Sequence, residues 1–287
     1  MIQRLALAMT TLLALAVPGP AVAAEAQTVE VTSLDGTPLA ARLFKPAGQG
    51  PFAAVVMLHG CGGMANKSGK LNVRETDWAE RFVGMGLVAL LPDSFRSRGH
   101  GSLCRVKDRP VEPNRERPYD AYGALVWLQA QPFVKPEKVV LAGWSNGAMT
   151  LLWTLKDDAK ARPKNLIHDF VAGIGFYPAC SDVRKTDYKT KVPVLLQVGL
   201  KDNWTLPKPC IAMVPEANVR GGAKMEIDAY PEAVHGFDHP NSPVRTFVAR
   251  HSSFKLGEKE VLVGGHPESR EKAIWRVTAY LRRALAD

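Results

Sequence analysis

The chain has 287 residues, of which 46% are hydrophobic and 23% are charged. This balance excludes a disordered or collagen-like protein, and the length suffices for one large α/β domain with a sizeable core. The formal net charge is +9. Basic residues crowd the segment 96–117, but glycine and proline lie between them where a nucleic-acid groove would normally carry aromatic residues. We therefore expect a solvated cationic surface and no nucleic-acid partner.

Residues 1–24 have the pattern of a secretory signal peptide. Arg4 supplies a positive charge, residues 5–17 form an apolar run, and residues 21–24 are a small-residue cleavage site. The alternative, a membrane anchor, is disfavoured because the run is too short to span a bilayer comfortably. We expect residues 25–287 to form a single domain that is exported to a bacterial periplasm or secreted, without a stable membrane anchor.

The exported part alternates predicted strands and helices. Residues 28–33 alternate with period two and turn at Asp35-Gly36 toward residues 39–44, which predicts an N-terminal β-hairpin. Further strands are predicted at residues 52–58, 87–91, 138–142, 170–177, 192–198 and 225–230, the last being the final strand. Helices are predicted at residues 77–85, 119–131, 148–153, 207–217 and 268–286, and a loop at 95–118. The pattern predicts an α/β fold with a mostly parallel central sheet and helices on both faces.

The segment Gly143-Trp144-Ser145-Asn146-Gly147 carries the clearest chemical signal. It reads Gly-x-Ser-x-Gly between a predicted strand and a predicted helix. In that context the motif forms a strained turn that lifts the serine hydroxyl to its tip. The alternative is a Gly/Ser turn between a core strand and a core helix. We interpret Ser145 as a nucleophile, with the Asn146 amide directed at a developing oxyanion.

A serine hydroxyl needs a general base, and the base needs an orienting acid. Asp202 and His235 each follow a predicted strand, in the chain order that α/β-hydrolases use after the serine. We therefore assign Asp202 as the acid and His235 as the base. His239 is the alternative base, and Asp182 follows an earlier strand and is not excluded by order alone.

Two further segments complete the predicted site. His59-Gly60-Cys61-Gly62-Gly63 follows the first buried parallel strand, where the second oxyanion donor of this fold arises, and we assign that role to the Cys61 amide. Arg96 and Arg98 lie in the loop at 95–118, and we consider them, together with Trp144, as substrate-binding candidates. The alternative is that these arginines are solvated or bridge to nearby acids.

The four cysteines are Cys61, Cys104, Cys180 and Cys210. None belongs to a Cys-x-x-Cys pair, so the sequence predicts neither a zinc site nor a redox dithiol. An even number in an exported protein predicts two disulfides, and four buried free thiols are the alternative. Cysteines that follow strands at the same sheet edge favour the pairs Cys61–Cys104 and Cys180–Cys210.

These segments together resemble the dienelactone hydrolase family of α/β-hydrolases. The resemblance rests on residues 59–63, on Pro92-Asp93-Ser94-Phe95, on residues 143–147, on Gly199-Leu200-Lys201-Asp202 and on His235-Gly236-Phe237. It implies an α/β-hydrolase fold and a nucleophile–Asp–His triad that acts on esters or lactones without a metal or other cofactor. The nucleophile of this family is often a cysteine, whereas this sequence has Ser145 at that position.

The sequence thus predicts an exported serine hydrolase for a small-molecule carboxylic ester or lactone. Two alternatives remain open. An exported peptidase or amidase would use the same triad on the same fold, and a binding protein would keep the fold with an inactive site.

Overall fold

A computed structural model describes residues 26–251 and 254–286. The predicted signal peptide lies outside these residues. Eight strands form the main sheet: β1 (Gln27–Thr32), β2 (Pro38–Phe44), β3 (Phe52–Leu58), β4 (Val88–Pro92), β5 (Val134–Trp144), β6 (Ala172–Phe176), β7 (Val194–Gly199) and β8 (Met225–Tyr230). Their order across the sheet is β1-β2-β4-β3-β5-β6-β7-β8. β1 and β2 form the predicted antiparallel hairpin, β2 joins β4 antiparallel, and every later pairing in this sheet is parallel.

Six α-helices accompany the described strands: α1 (Val73–Gly84), α2 (Arg117–Gln129), α3 (Asn146–Leu155), α4 (Ser181–Arg184), α5 (Lys208–Val219) and α6 (Pro267–Ala284). A short 3₁₀ helix spans Arg96–Arg98. Side chains of α2, α3 and α5 share one apolar cluster with one face of the sheet. Side chains of α1 and α6 share a second cluster with the other face. Helices therefore cover both faces of the mostly parallel sheet, as the sequence pattern predicts.

β3, at the centre of the sheet, is a continuous run of apolar residues because both of its faces are covered. Val56 and Leu58 belong to the cluster with α2 and α3, whereas Val55 and Met57 belong to the cluster with α1 and α6. Successive strand residues point to opposite faces, so a strand covered on both faces must be apolar at every position. All four side chains are buried.

The prediction that residues 225–230 form the final strand is wrong. Two further strands, β9 (Arg245–Arg250) and β10 (Glu258–Val263), pair antiparallel as a separate two-stranded sheet between β8 and α6. Both carry charged residues at several positions, and most of their residues are exposed or half-buried. Their apolar pattern is therefore too weak to predict strands, and contacts with other segments hold them in place.

Candidate active site

The nucleophile turn lies between β5 and α3. Ser145 has a φ of 53° and a ψ of −114°, a backbone conformation that residues other than glycine rarely adopt. The two motif glycines permit this turn because they allow close backbone approach. A Cβ at Gly143 would lie 2.4 Å from the Gly147 carbonyl oxygen, and one at Gly147 would lie 2.0 Å from the Leu58 carbonyl oxygen. Larger residues at either position would collide with backbone atoms.

The structure brings Ser145, His235 and Asp202 into a continuous series of contacts. Nε2 of His235 lies 3.0 Å from Oγ of Ser145, and Nδ1 of His235 lies 2.8 Å from Oδ2 of Asp202. A carboxylate only accepts hydrogen bonds, so Nδ1 carries the proton and Nε2 accepts from the serine hydroxyl. This arrangement has the geometry of a nucleophile, a general base and an orienting acid.

Asp202 is held by several donors. Its Oδ1 accepts hydrogen bonds from the backbone amides of Trp204 and Thr205, at 2.8 and 2.9 Å. The Thr205 hydroxyl lies 2.8 Å from Oδ2 and 3.0 Å from Nδ1 of His235. The imidazole also packs between the rings of Trp204 and Tyr177, with centroid separations of 4.7 and 4.6 Å. Thr205 was not predicted as a site residue, although it follows Asp202 by only three positions.

The loop after β3 lies against the nucleophile turn. A Cβ at Gly60 would lie 3.6 Å from the Ser145 Cβ and 3.4 Å from the Trp144 carbonyl oxygen. His59 fixes the start of this loop, because its Nδ1 bonds the Gly60 carbonyl oxygen at 2.8 Å and its Nε2 accepts from the Ser94 amide at 3.2 Å. Of the two predicted oxyanion residues, Asn146 directly follows Ser145, and Cys61 lines the same cavity as Ser145 from the loop after β3.

Two disulfides join the described cysteines, in the pairings Cys61–Cys104 and Cys180–Cys210. The first connects the loop after β3 to the segment 95–118. A backbone bond from the Leu103 amide to the Cys61 carbonyl oxygen, 2.8 Å long, reinforces that connection. The predicted oxyanion loop is thus fixed by a covalent bond next to Ser145.

A cavity of about 520 Å³ opens beside Ser145 and His235. Its wall combines apolar with basic side chains: Leu71, Val73, Trp204, Phe247, Val263, Lys70, Arg74 and Arg245. Phe247 and Val263 come from β9 and β10, so the strands that the sequence did not predict form part of the wall. A mostly apolar pocket with a few polar groups beside reactive residues is the usual form of a small-molecule site.

Arg74, which is half-buried, and Glu75, which is buried, form an ion pair in the cavity wall. Nη2 of Arg74 lies 2.5 Å from Oε1 of Glu75, and Nη1 lies 3.2 Å from the Tyr177 hydroxyl. Burial opposes the charged form, yet the Glu75 carboxylate raises the pKa of Arg74 above its usual value. Burial raises the pKa of Glu75, and Arg74 opposes that shift. The sequence analysis did not single out either residue, since no motif marks the first turn of α1.

Trp144 lies behind the site instead of in the cavity wall. It is only 1% exposed and stacks on Phe176, with ring centroids 5.5 Å apart. Its Nε1 donates to Oδ2 of Asp238 at 2.8 Å, and the same carboxylate accepts from Trp78 Nε1 and the Tyr177 hydroxyl. The substrate-binding assignment of Trp144 therefore needs correction, because the indole is committed to this buried network.

Arg96 and Arg98 also lie outside the cavity wall. Arg98 is held by two carboxylates, those of Asp120 at 2.7 Å and Asp35 at 2.8 Å. Arg96 donates to the Asn66 carbonyl oxygen. The alternative for these arginines, bridging to acids, describes Arg98, although its acids are not those nearest in sequence, whereas the Arg96 contact is with a backbone carbonyl. The guanidinium groups in the cavity wall belong to Arg74 and Arg245.

The rival triad residues are placed differently. Asp182 lies in α4, is exposed, and pairs with Lys185 at 3.2 Å. His239 lines the cavity, but its Nδ1 lies 2.9 Å from the Pro240 carbonyl oxygen. Asp202, not Asp182, bonds Nδ1 of His235, and His235, not His239, lies against Oγ of Ser145.

The described residues contain neither a metal-binding cluster nor a membrane-spanning helix. No group of three or more histidine, cysteine or acidic residues in 26–251 and 254–286 is arranged to hold a metal ion. Within the same ranges, no helix has the length and apolar character needed to cross a membrane.

Solved structures of similar fold include several hydrolases. Esterase 2 of Thermogutta terrifontis, phosphorylated by paraoxon, superimposes with a TM-score of 0.66 at 19% identity, over 91% of this chain and 96% of that one. A Klebsiella pneumoniae protein assigned as a dienelactone hydrolase gives 0.61 at 18%, over 90% and 98%. An acylaminoacyl peptidase of Pyrococcus horikoshii gives 0.62 at 17%, over 92% of this chain but 42% of that one. At these identities the likeness shows the fold alone.

A comparison by sequence identifies the family. No curated protein matches the chain. The model of the dienelactone hydrolase family matches residues 39–285, which is most of the chain. The chain therefore belongs to the dienelactone hydrolase family and has its α/β-hydrolase fold.

Proposed function

We propose that this chain is an exported serine hydrolase that cleaves carboxylic esters or lactones. The observation that carries the proposal is the contact series at the cavity, in which Ser145 Oγ lies 3.0 Å from His235 Nε2 and His235 Nδ1 lies 2.8 Å from Asp202. Membership of the dienelactone hydrolase family and fold neighbours that are esterases support a hydrolase.

In the proposed mechanism, Ser145 Oγ attacks the substrate carbonyl carbon while its proton passes to His235 Nε2. Asp202 holds the Nδ1 proton and stabilises the imidazolium that forms. The amides of Cys61 and Asn146 donate to the oxyanion of the tetrahedral intermediate. The carbon–oxygen bond to the leaving group then breaks, and that group takes the proton from His235. Water attacks the resulting acyl-enzyme by the same steps and releases the acid.

Replacement of the nucleophile tests this proposal. We expect Ser145→Ala to abolish turnover of a panel of neutral esters while the protein stays folded, because alanine is slightly smaller and fits the turn. Ser181→Ala, on the exposed first position of α4, is the matched control and should keep wild-type rates. Circular dichroism monitors the fold. More than trace activity in Ser145→Ala would show that another group is the nucleophile.

Covalent labelling separates the enzyme from the inactive binding protein. The Thermogutta esterase 2 is phosphorylated by paraoxon. We expect paraoxon or a fluorophosphonate to modify Ser145 here, and intact mass together with peptide mapping would locate the adduct. Absence of labelling in the folded wild-type protein would favour a binding role.

Amide hydrolysis is the second candidate reaction, since the fold neighbours include an acylaminoacyl peptidase. This chain covers 42% of the length of that protein. We expect ester turnover to exceed turnover of the matched amide. Amine release from peptides without ester turnover would reverse the assignment.

Export is proposed from the first 24 residues and is supported by the two disulfides, which form and persist in oxidising compartments. N-terminal sequencing of the protein from a periplasmic or culture fraction should begin at Ala24 or Glu25. A mature protein that begins at Met1 would contradict cleavage.

A further inference from the structure

Arg117 occupies a position that is unfavourable for a cation. It is the first residue of α2, where the positive end of the helix dipole disfavours basic side chains. Its residue surface is 0% exposed, and burial of a charge is costly without a paired carboxylate. Burial lowers the pKa of Arg117 to about 10, although the carboxylates of Asp120 and Asp93 oppose the shift. The side chain thus remains charged at neutral pH in a site that penalises the charge.

The contacts of Arg117 lead to the nucleophile turn. Its Nη1 donates to Oδ1 of Asn146 over 2.5 Å, and Asn146 is the residue whose backbone amide follows the nucleophile. A hydrogen bond to that side chain fixes the orientation of the whole residue. Among the described residues, Nη2 of Arg117 and Nδ2 of Asn146 have no hydrogen-bond partner. The local hydrogen bonding therefore leaves donors unused, which argues against a role in stability alone.

A second series of contacts leads from Arg117 to the loop after β3. Its Nε donates to Oγ of Ser94 over 3.3 Å, and the Ser94 amide donates to Nε2 of His59. His59 in turn donates from Nδ1 to the Gly60 carbonyl oxygen, one residue before Cys61. The guanidinium also lies over the Phe95 ring, 5.2 Å from its centroid, and that ring packs edge-on against His59.

The segments that carry the two oxyanion donors are distant in sequence. Arg117 bonds one of them directly, at Asn146, and is connected to the other through Ser94 and His59. We propose that Arg117 is a positioning residue that fixes the two oxyanion donors, the Asn146 amide through the Asn146 side chain and the Cys61 amide through Ser94 and His59. The inference rests on the proposed hydrolase function and deepens it. A planar guanidinium suits this role because its fork donates in two directions at once, whereas an ammonium acts as a point charge.

The test compares four variants on a neutral short-chain ester. Arg117→Met removes both contacts at similar side-chain length, Arg117→Lys keeps the charge without the fork, and Asn146→Ala keeps the backbone amide without its side-chain anchor. The fourth is the double variant of Arg117→Met with Asn146→Ala. Arg162→Gln is the control, because Arg162 pairs with Asp169 and does not contact the nucleophile turn. Active sites are counted by fluorophosphonate titration, so that kcat refers to competent molecules only.

We expect Arg117→Met to lower kcat by about 100-fold, the scale of a small misplacement of catalytic groups. KM should stay within about twofold, because the interaction acts on the transition state. The kcat of the double variant should be no lower than that of its less active parent, because both changes break the same Arg117–Asn146 hydrogen bond. Arg117→Lys should regain part of kcat, and Arg162→Gln should match the wild type.

A kcat within about twofold of wild type in Arg117→Met, or a loss confined to KM or to the number of active sites, would overturn the inference. If Arg117→Met does not fold, Arg117→Lys decides, and wild-type kcat in that variant would overturn it. Activity retained in Ser145→Ala would instead defeat the proposed function. An inactive Ser145→Ala beside fully active Arg117 variants would defeat only the positioning role.

Discussion

Ser145 and its partners show how single residues prepare the site. The left-handed φ of 53° at Ser145 is unusual for a residue other than glycine or asparagine, and the surrounding strand and helix maintain it. His235 is 5% exposed and Asp202 is 3% exposed, so water competes little for their hydrogen bonds. Buried, fully oriented hydrogen bonds of this kind are stronger than exposed ones.

We expect His235→Ala and Asp202→Asn each to lose most ester turnover, with losses that do not add to that of Ser145→Ala. Groups that act as one unit give strongly non-additive effects. Measurement of kcat/KM for the single and double variants checks this. Wild-type rates in Asp202→Asn would show that another residue is the acid. His239→Ala is the control among the cavity histidines and should retain turnover.

Arg74 is the residue-scale candidate for substrate choice. The cavity wall carries Lys70, Arg74 and Arg245 against Glu75, and guanidinium groups pair well with carboxylates. We expect Arg74→Gln to raise KM for an ester that bears a carboxylate while sparing its neutral analogue. Arg98→Gln is the control, because Arg98 is paired with Asp120 outside the cavity. Equal effects on both esters would remove the recognition role from Arg74.

At the scale of elements, β9 and β10 close one side of the cavity. Phe247 of β9 stacks on Trp204, with centroids 5.3 Å apart, and Arg105 lies 4.8 Å from the same Phe247 centroid. The amide of Gly264, directly after β10, donates to the His235 carbonyl oxygen over 3.0 Å. This small sheet therefore contacts both the base and the segment 95–118.

The disulfide Cys61–Cys104 supplies a prediction at the same scale. Cys104→Ser removes the covalent connection of the oxyanion loop. Cys210→Ser is the matched control because it breaks the disulfide whose cysteines do not line the cavity. The bridged cysteines are 43 and 30 positions apart. The chain-entropy relation gives a loss of about 3–4 kcal/mol in the free energy of unfolding for either variant.

We expect kcat, corrected for the folded fraction, to fall in Cys104→Ser and to stay at the wild-type value in Cys210→Ser. Urea unfolding gives the stabilities, and ester turnover on folded protein gives kcat. Equal kcat in the two variants would mean that the disulfide next to the site acts on stability alone.

At the scale of the whole molecule, His59 couples stability to pH. Burial lowers its pKa well below the ordinary 6.5, and the charges of Arg117 and Arg74 add to this effect. Asp93 is the nearby carboxylate, 3.9 Å from Nε2. The unfolded chain therefore binds a proton below pH 6.5 that the folded protein does not bind. The stabilising contribution is complete above pH 6.5 and declines as the pH falls below that value.

As the pH is lowered below 6.5, we expect the free energy of unfolding to decrease more steeply for the wild type than for His59→Gln. The difference should be at most about 1.4 kcal/mol per pH unit. Urea unfolding between pH 4 and pH 8 would measure the difference. His168→Gln, which changes an exposed histidine, should follow the wild type. Parallel curves for wild type and His59→Gln would show that His59 does not contribute to the pH dependence.

The sequence by itself determined the features that depend on local pattern. The buried strands read as continuous apolar runs, and parallel strands bring their carboxyl ends to one edge, so the positions of Ser145, Asp202 and His235 after strands already predicted that they meet. The family followed from the same motifs. The pairs Cys61–Cys104 and Cys180–Cys210 were predicted because these cysteines follow strands at the same edge of the sheet.

Only the tertiary structure decided the contacts that join distant segments. β9 and β10 lack a strong apolar pattern because they are largely exposed, and their place beside Trp204 depends on packing. Arg98 was a substrate-binding candidate with bridging to acids as its alternative, and only the structure shows that Asp35 and Asp120, from other segments, pair with it. Arg74 lines the cavity and Arg117 lies behind the nucleophile turn because of how α1 and α2 dock on the sheet. A sequence pattern reports which face of an element is buried, but not which charged groups meet across the fold.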